Sequence, residues 1–250
     1  VSLVLIASDG PMEELAAEIR QQYSVEVVTA RIDLADPDAA EQIFAVVASR
    51  EVGLFVNNAG ADWQGKRFLE VEVDDWLRLS RINVDTMLRC VHRFAEAMRQ
   101  RRRGGVLIVK SGACYGGSKY LAIYCAAKAY QLNFAEALWS ELRPYGVDVL
   151  TLVLGKTDTP GFRRRRESRG LVVGDGAGRP LLVTPRARLQ LRLVPDGPVL
   201  AAGAEGAGVE FAYAPQTMTL LEPGSGWVVL ALQISANCSF LIFPVSPESG

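Results

Sequence analysis

The sequence predicts an α/β fold, a doubly wound parallel sheet with helices on both faces. Short apolar runs of strand type alternate along the chain with segments of helical periodicity, the pattern of strands joined by covering helices. Nearly half of the 250 residues are apolar (49%), enough for one sizeable core.

The elements follow in order. Residues 1–7 are an apolar strand, and residues 12–22 a helix with Glu13, Glu14 and Glu18 outward. Residues 25–29 form a second strand, 39–49 a helix and 52–56 a strand. One long helix or two cover 71–100. A strand at 106–109, a helix at 124–143 and a strand at 147–154 complete the regular alternation. Beyond residue 161 the periodicity weakens, with a helix at 183–193 and a strand at 197–203. From residue 204 no matching element is legible, although Pro215 and Pro223-Gly224-Ser225-Gly226 signal turns. The expected division is therefore one domain over 1–203 and an extension of uncertain structure over 204–250.

A net charge of -1 gives no global pull towards nucleic acid or an anionic membrane. Arg101-Arg102-Arg103 is read as a solvated cap of a helix ended by Gly104-Gly105, and residues 163–166, all Arg, as a solvated loop. The apolar stretch 227–245 is interrupted by Gln233, Ser235, Asn237, Ser239 and Pro244. Two short strands packed on the domain are expected there rather than a membrane span. Cys90, Cys114, Cys125 and Cys238 show no metal-ligand spacing, so a cytoplasmic protein without a metal is expected. The single histidine, His92, has no nucleophile-elbow pattern with it, which argues against a hydrolase.

Chemistry concentrates in Tyr124-Cys125-Ala126-Ala127-Lys128, with Ser111 thirteen residues upstream and Asn83 before it. A Tyr and a Lys four apart on a helix share a face, so the ammonium can stabilise the ionised phenol and make it a usable acid or base. Each residue alone has a plainer reading: Tyr124 as a packed aromatic, Ser111-Gly112 as a turn, Asn83 as a helix residue with local side-chain bonding. Their joint spacing carries the catalytic reading.

The constellation resembles the short-chain dehydrogenase/reductase family, whose signature is a Ser followed about thirteen residues later by Tyr-x-x-x-Lys. Asn57-Asn58-Ala59-Gly60 is similar to the family's Asn-Asn-Ala-Gly element. Asp33-Leu34 resembles the segment that meets the adenine. Asn83 matches the fourth catalytic residue, and Leu154-Gly155-Lys156-Thr157-Asp158-Thr159-Pro160 the segment touching the nicotinamide carboxamide, with Leu154 in place of Pro. The resemblance implies a Rossmann-like fold and hydride transfer between NAD(P) and a carbonyl or secondary alcohol. It makes Tyr124 the general acid or base, Ser111 a second donor to the substrate oxygen, Lys128 the cation beside phenol and ribose, and Asn83 the holder of a relay water. Ser8, Asp33, Leu34, Asn57, Ala59, Gly60, Tyr124, Lys128, Gly155, Thr157 and Thr159 are implied to contact the cofactor. Substrate would be shaped by residues 61–67, 114–120 and the loop after Thr159, with Tyr115 and Tyr120 as lining. A homodimer or homotetramer is implied as well.

Two departures accompany the resemblance. Residues 1–7 align with the family's second strand, so the chain is expected to be N-terminally truncated, without the first strand, the glycine-rich turn and the first helix. That leaves a sheet missing a central strand and a chain that binds dinucleotide poorly. At the residues that select the cofactor, Ala7 stands at the acidic position and Ser8 at the basic one, with Asp9 following; NADP is taken ahead of NAD. The alternative function is a catalytically impaired relative acting only through protein association. Nucleic-acid binding through the Arg runs is not expected, for want of interleaved aromatics.

Overall fold

Strand alternation sorts the core into two layers. Val4, Ile6, Phe55, Val106, Ile108, Val147 and Val149 face one side of the sheet, while Leu5, Ala7, Leu54, Val56, Leu107, Val109, Leu150 and Leu152 face the other. A computed structural model describes residues 2–60, 62, 64–154 and 228–232. Its strands are β1 (Ser2–Ala7), β2 (Val27–Arg31), β3 (Val52–Asn57), β4 (Gly104–Ser111), β5 (Val147–Leu154) and β6 (Val228–Leu232). Its helices are α1 (Met12–Tyr23), α2 (Ala39–Val47), α3 (Val73–Ser80), α4 (Thr86–Arg101) and α5 (Ala122–Leu142). Residues of α2, α4 and α5 enter the first layer; Met12, Ala16 and Ile19 of α1 enter the second.

The strands form one sheet in the order β2-β1-β6-β3-β4-β5, parallel throughout. The expected gap in its centre is closed by the chain's own tail. β6 pairs with β1 (Val4↔Leu230) and with β3 (Phe55↔Leu230). Residues 228–232 are thus a central strand, not part of a pair packed on the outside. The reason is backbone satisfaction: with nothing between them, the facing edges of β1 and β3 would bury unpaired N–H and C=O groups. The order of winding reverses about this strand, β2 lying outward on one side and β4 and β5 on the other. The strand C-termini on either side of β6 therefore form the switch point at which this class of sheet binds ligands.

Other elements match the expected ones to within a few residues, the second strand starting at Val27 rather than 25. The 71–100 segment is α3 and α4 joined by a π-helical turn, Arg81–Asp85. The arginine run caps α4 with Arg102 and Arg103 exposed, as expected, but its side chains also make tertiary contacts. Arg101 donates to the Val52 carbonyl, Arg102 to the Pro144 carbonyl at 3.0 Å, and Arg103 to Glu51 at 3.0 Å. Three positive side chains thus tie the end of α4 to the start of β3 and to the turn before β5. Arg102 itself takes the left-handed conformation (φ 57°) that ends the helix. Gly155, Thr157, Thr159, the Arg run at 163–166, the helix at 183–193, the strand at 197–203 and Cys238 lie outside the described residues.

Candidate active site

The site is assembled at the C-terminal ends of β3 and β4. α3 and α4 are tethered there by three contacts to the segment after β2. Arg78 donates to Asp33 at 2.6 Å, Arg81 to the Ala35 carbonyl at 3.1 Å, and Thr86 to the Leu34 carbonyl at 2.8 Å. Asp33 also accepts from the Ala35 N–H at 2.9 Å. Partial burial opposes its ionisation, but the Arg78 hydrogen bond, the Ala35 N–H and the Arg78 charge together hold its pKa below the usual carboxylate value. Asp33 and Leu34 are therefore both held by the helix layer.

The tethers fix Asn83 inside the π turn, fully buried. Its side-chain amide donates to the Leu79 carbonyl at 2.9 Å, the local bonding expected of an Asn within a helix. A π turn widens the helix and often marks a functional position. Lys128 arrives from the first half of α5, 2% exposed, and donates to the Val109 carbonyl at 3.3 Å and to Gln131 Oε1 at 3.0 Å. It is no solvated neighbour of Tyr124: its Nζ lies 5.6 Å from the centre of the half-buried Tyr124 ring. Burial pushes its pKa down to about 7, partly opposed by the thiol of Cys114. Ser111 ends β4 and accepts from the Ala113 N–H at 3.3 Å, which orients its hydroxyl oxygen at the start of the next turn.

Gly60 brings the Asn-Asn-Ala-Gly element against these residues. At φ +149° it needs glycine, and a Cβ there would stand 2.5 Å from Lys128 Nζ and 2.7 Å from Asn83 Oδ1. Gly60→Ala is expected to displace the lysine and lower turnover about 10²-fold, the scale of a misplacement of about 1 Å. Steady-state kinetics beside a melting curve would separate that loss from unfolding. Asn57 and Ala59 are buried beside Gly60, and Asn57 Nδ2 has no hydrogen-bond acceptor among the described residues.

Sequence reasoning missed three side chains. Gln131 is fully buried and links Lys128 to Asn83, its Nε2 donating to the Asn83 carbonyl at 2.6 Å. Its position three residues after Lys128, on the same helix face, was the available signal. Lys110 is a second buried lysine, with Nζ 3.7 Å from Cys114 Sγ. Arg31, paired in register with Ala7, donates to the Gly10 carbonyl at 2.9 Å and so places a cation against the turn after β1. Lys119 Nζ lies 5.0 Å from the centre of the Tyr120 ring, and hydrogen bonding and charge from Lys119 and Arg67 hold the Tyr120 pKa below the ordinary tyrosine value. Tyr115 is half-exposed. The open groove between α2 and α4, lined by Phe44, Arg50, Arg93 and Arg101, reaches the opposite, N-terminal ends of the strands. Cys90, Cys114 and Cys125 are free and buried.

A parallel sheet whose strand order reverses at its centre defines the class of α/β folds that binds ligands beyond the strand C-termini at that switch point. The family model for short chain dehydrogenase matches residues 1–170, and the chain belongs to that family. It is 34% identical to the 7beta-hydroxysteroid dehydrogenase of Collinsella aerofaciens over 151 residues, 59% of this chain and 56% of that protein. It is 28% identical to the human very-long-chain 3-oxoacyl-CoA reductase, over 61% of this chain and 50% of that one. The chain thus spans about half the length of these relatives. Among solved structures, a study of 7beta-hydroxysteroid dehydrogenase stereoselectivity superposes with a TM-score of 0.62 at 29% identity, covering 66% of this chain and 63% of that one. A short-chain dehydrogenase from Sphingobium yanoikuyae in complex with NADPH gives 0.63 at 25% identity, covering 72% and 69%. These relatives favour an oxidoreductase over a protein that acts by association alone. No described helix is long and apolar enough to cross a membrane, and no described cluster of His, Cys, Asp or Glu can hold a metal.

Proposed function

We propose that the chain transfers hydride between a nicotinamide dinucleotide and a carbonyl or secondary alcohol, with Tyr124 as general acid or base. The observation that carries this reading is the buried Lys128 ammonium beside the Tyr124 ring, at the sheet edge where Gly60 and Ser111 also lie. The cofactor fits two features of this edge. Gly60, lacking a side chain, lets Lys128 and Asn83 close up against the loop after β3 where a ribose would meet them, and Asn57 Nδ2 is a buried donor awaiting an acceptor. Ser8, Asp33, Leu34, Ala59 and Gly60 would hold the adenosine half, Lys128 and Tyr124 the nicotinamide ribose, and Gly155, Thr157 and Thr159 the carboxamide. When bound, the nicotinamide supplies or accepts the hydride. Tyr124 delivers a proton to the oxygen that becomes an alcohol, and Ser111 donates a second hydrogen bond to it. Lys128, while charged, favours the phenolate left behind. In oxidation the phenolate takes the proton instead.

NADP is the proposed form. Ala7 presents no carboxylate to the adenosine ribose, and the Arg31 cation at the turn after β1 suits a phosphate. The substrate is a small-molecule carbonyl or alcohol, and α4 and α5 are the surfaces for a homodimer or homotetramer in the cytoplasm.

The test incubates the chain with millimolar NADPH or NADH and a panel holding a ketosteroid, a 3-oxoacyl thioester and simple bulky ketones. Absorbance at 340 nm and product are followed together. Cofactor oxidation matched by alcohol formation is expected, about tenfold faster with NADPH, and Arg31→Glu should erase that preference. Absence of turnover with every carbonyl and both cofactors would overturn the reading.

A further inference from the structure

We propose that Gln131 is a positioning residue whose side-chain amide bridges the Asn83 carbonyl and the Lys128 ammonium. The orientation of the amide follows from chemistry. A backbone carbonyl only accepts, so the Gln131 nitrogen must face Asn83 (2.6 Å), and the oxygen is thereby turned to the lysine (3.0 Å). Both groups and the bridge are buried: Asn83 and Gln131 fully, Lys128 at 2%.

The bridge matters because Lys128 has few sources of charge stabilisation. On its own helix it faces Tyr124 and Gln131. From β4 and the turn after it come the Val109 carbonyl and the Cys114 thiol, with Lys110 against the same thiol. Asn83 and Gly60 face it from the π turn and the loop after β3. None of these is a carboxylate. Gln131 Oε1 and the Val109 carbonyl are its hydrogen-bond acceptors here, and the Gln131 contact is the shorter. Burial already lowers the lysine to about 7. Removing an acceptor that favours the ammonium lowers it further, so the charged form is lost at lower pH. The alkaline limit of carbonyl reduction should move down with it.

The inference deepens the proposed function, and its first readout does not depend on turnover. The chain holds five lysines, Lys66, Lys110, Lys119, Lys128 and Lys156, so lysine ε-13C signals can be titrated individually and Lys128 assigned by its loss in Lys128→Met. In Gln131→Leu the Lys128 midpoint should fall, with the ammonium-to-amine ratio at pH 7 dropping about tenfold, on the scale of one lost hydrogen bond to a charge. In Gln131→Glu, which keeps an acceptor and adds charge, the midpoint should rise above that of the unsubstituted chain. The alkaline limb of kcat should follow in the same two directions. An unchanged midpoint in Gln131→Leu, or a shift of both variants in one direction, overturns the inference. If Gln131→Leu does not fold, the rise in Gln131→Glu decides alone. Midpoints that move as expected in a chain without turnover would sink the oxidoreductase reading and leave the bridge standing.

Discussion

Tyr124→Phe is expected to lower the rate of carbonyl reduction about 10²–10⁴-fold with the fold intact, the range supplied by a positioned proton donor. The substitution keeps the ring that stands beside Lys128 and removes only the hydroxyl. Since Tyr124 is half-buried, little packing is lost with one oxygen. The loss should appear in kcat more than in KM, because the proton moves in the transition state and contributes little to holding the ground-state carbonyl. Steady-state kinetics, with circular dichroism melting as the control for folding, are the measurement. A variant retaining a rate within threefold would remove Tyr124 from the chemistry and leave the buried lysine without a purpose in it.

The second large effect is on stability. Leu230→Pro is expected to cost about 3 kcal/mol, or roughly 6–12 °C in the melting midpoint for a chain of this size, while Leu230→Val costs far less. The argument rests on the backbone alone. Leu230 is paired with Val4 on one side and Phe55 on the other. Proline there removes an N–H from a strand bonded on both edges, where proline is not tolerated. Differential scanning calorimetry of the two variants reads the result. Equal melting of Leu230→Pro and the unsubstituted chain would show that the tail strand does not hold the sheet together. Cofactor affinity should fall with the same substitution, because β6 separates β1 and β3, whose ends carry Ser8 and Asn57.

Much of the layout was legible from local order. The apolar runs at 52–56 and 147–154 could be recognised as strands because burial on both faces of a parallel sheet leaves no alternation to misread. Lys128 and Tyr124 could be placed together because four residues of helix return to the same face. Asn83 could be expected at a disturbed point in a helix, and the π turn is that disturbance. The tertiary contacts of the arginine run were not legible because its partners, Val52, Glu51 and Pro144, are all more than forty positions away.

By itself, then, the sequence determined the alternation of elements, the helix face shared by Tyr124 and Lys128, and the membership that Ser111 and Asn57-Asn58-Ala59-Gly60 signal. These depend on spacing along one segment, and spacing is what a sequence states directly. Tertiary structure decided where residues 228–232 go, which acceptors meet Lys128, and which cation stands at the turn after β1. A parallel strand can be inserted wherever two edges lack partners, and a buried ammonium takes whatever acceptors the packed elements bring within reach. Both depend on contacts across the sheet, which do not exist until the sheet has closed.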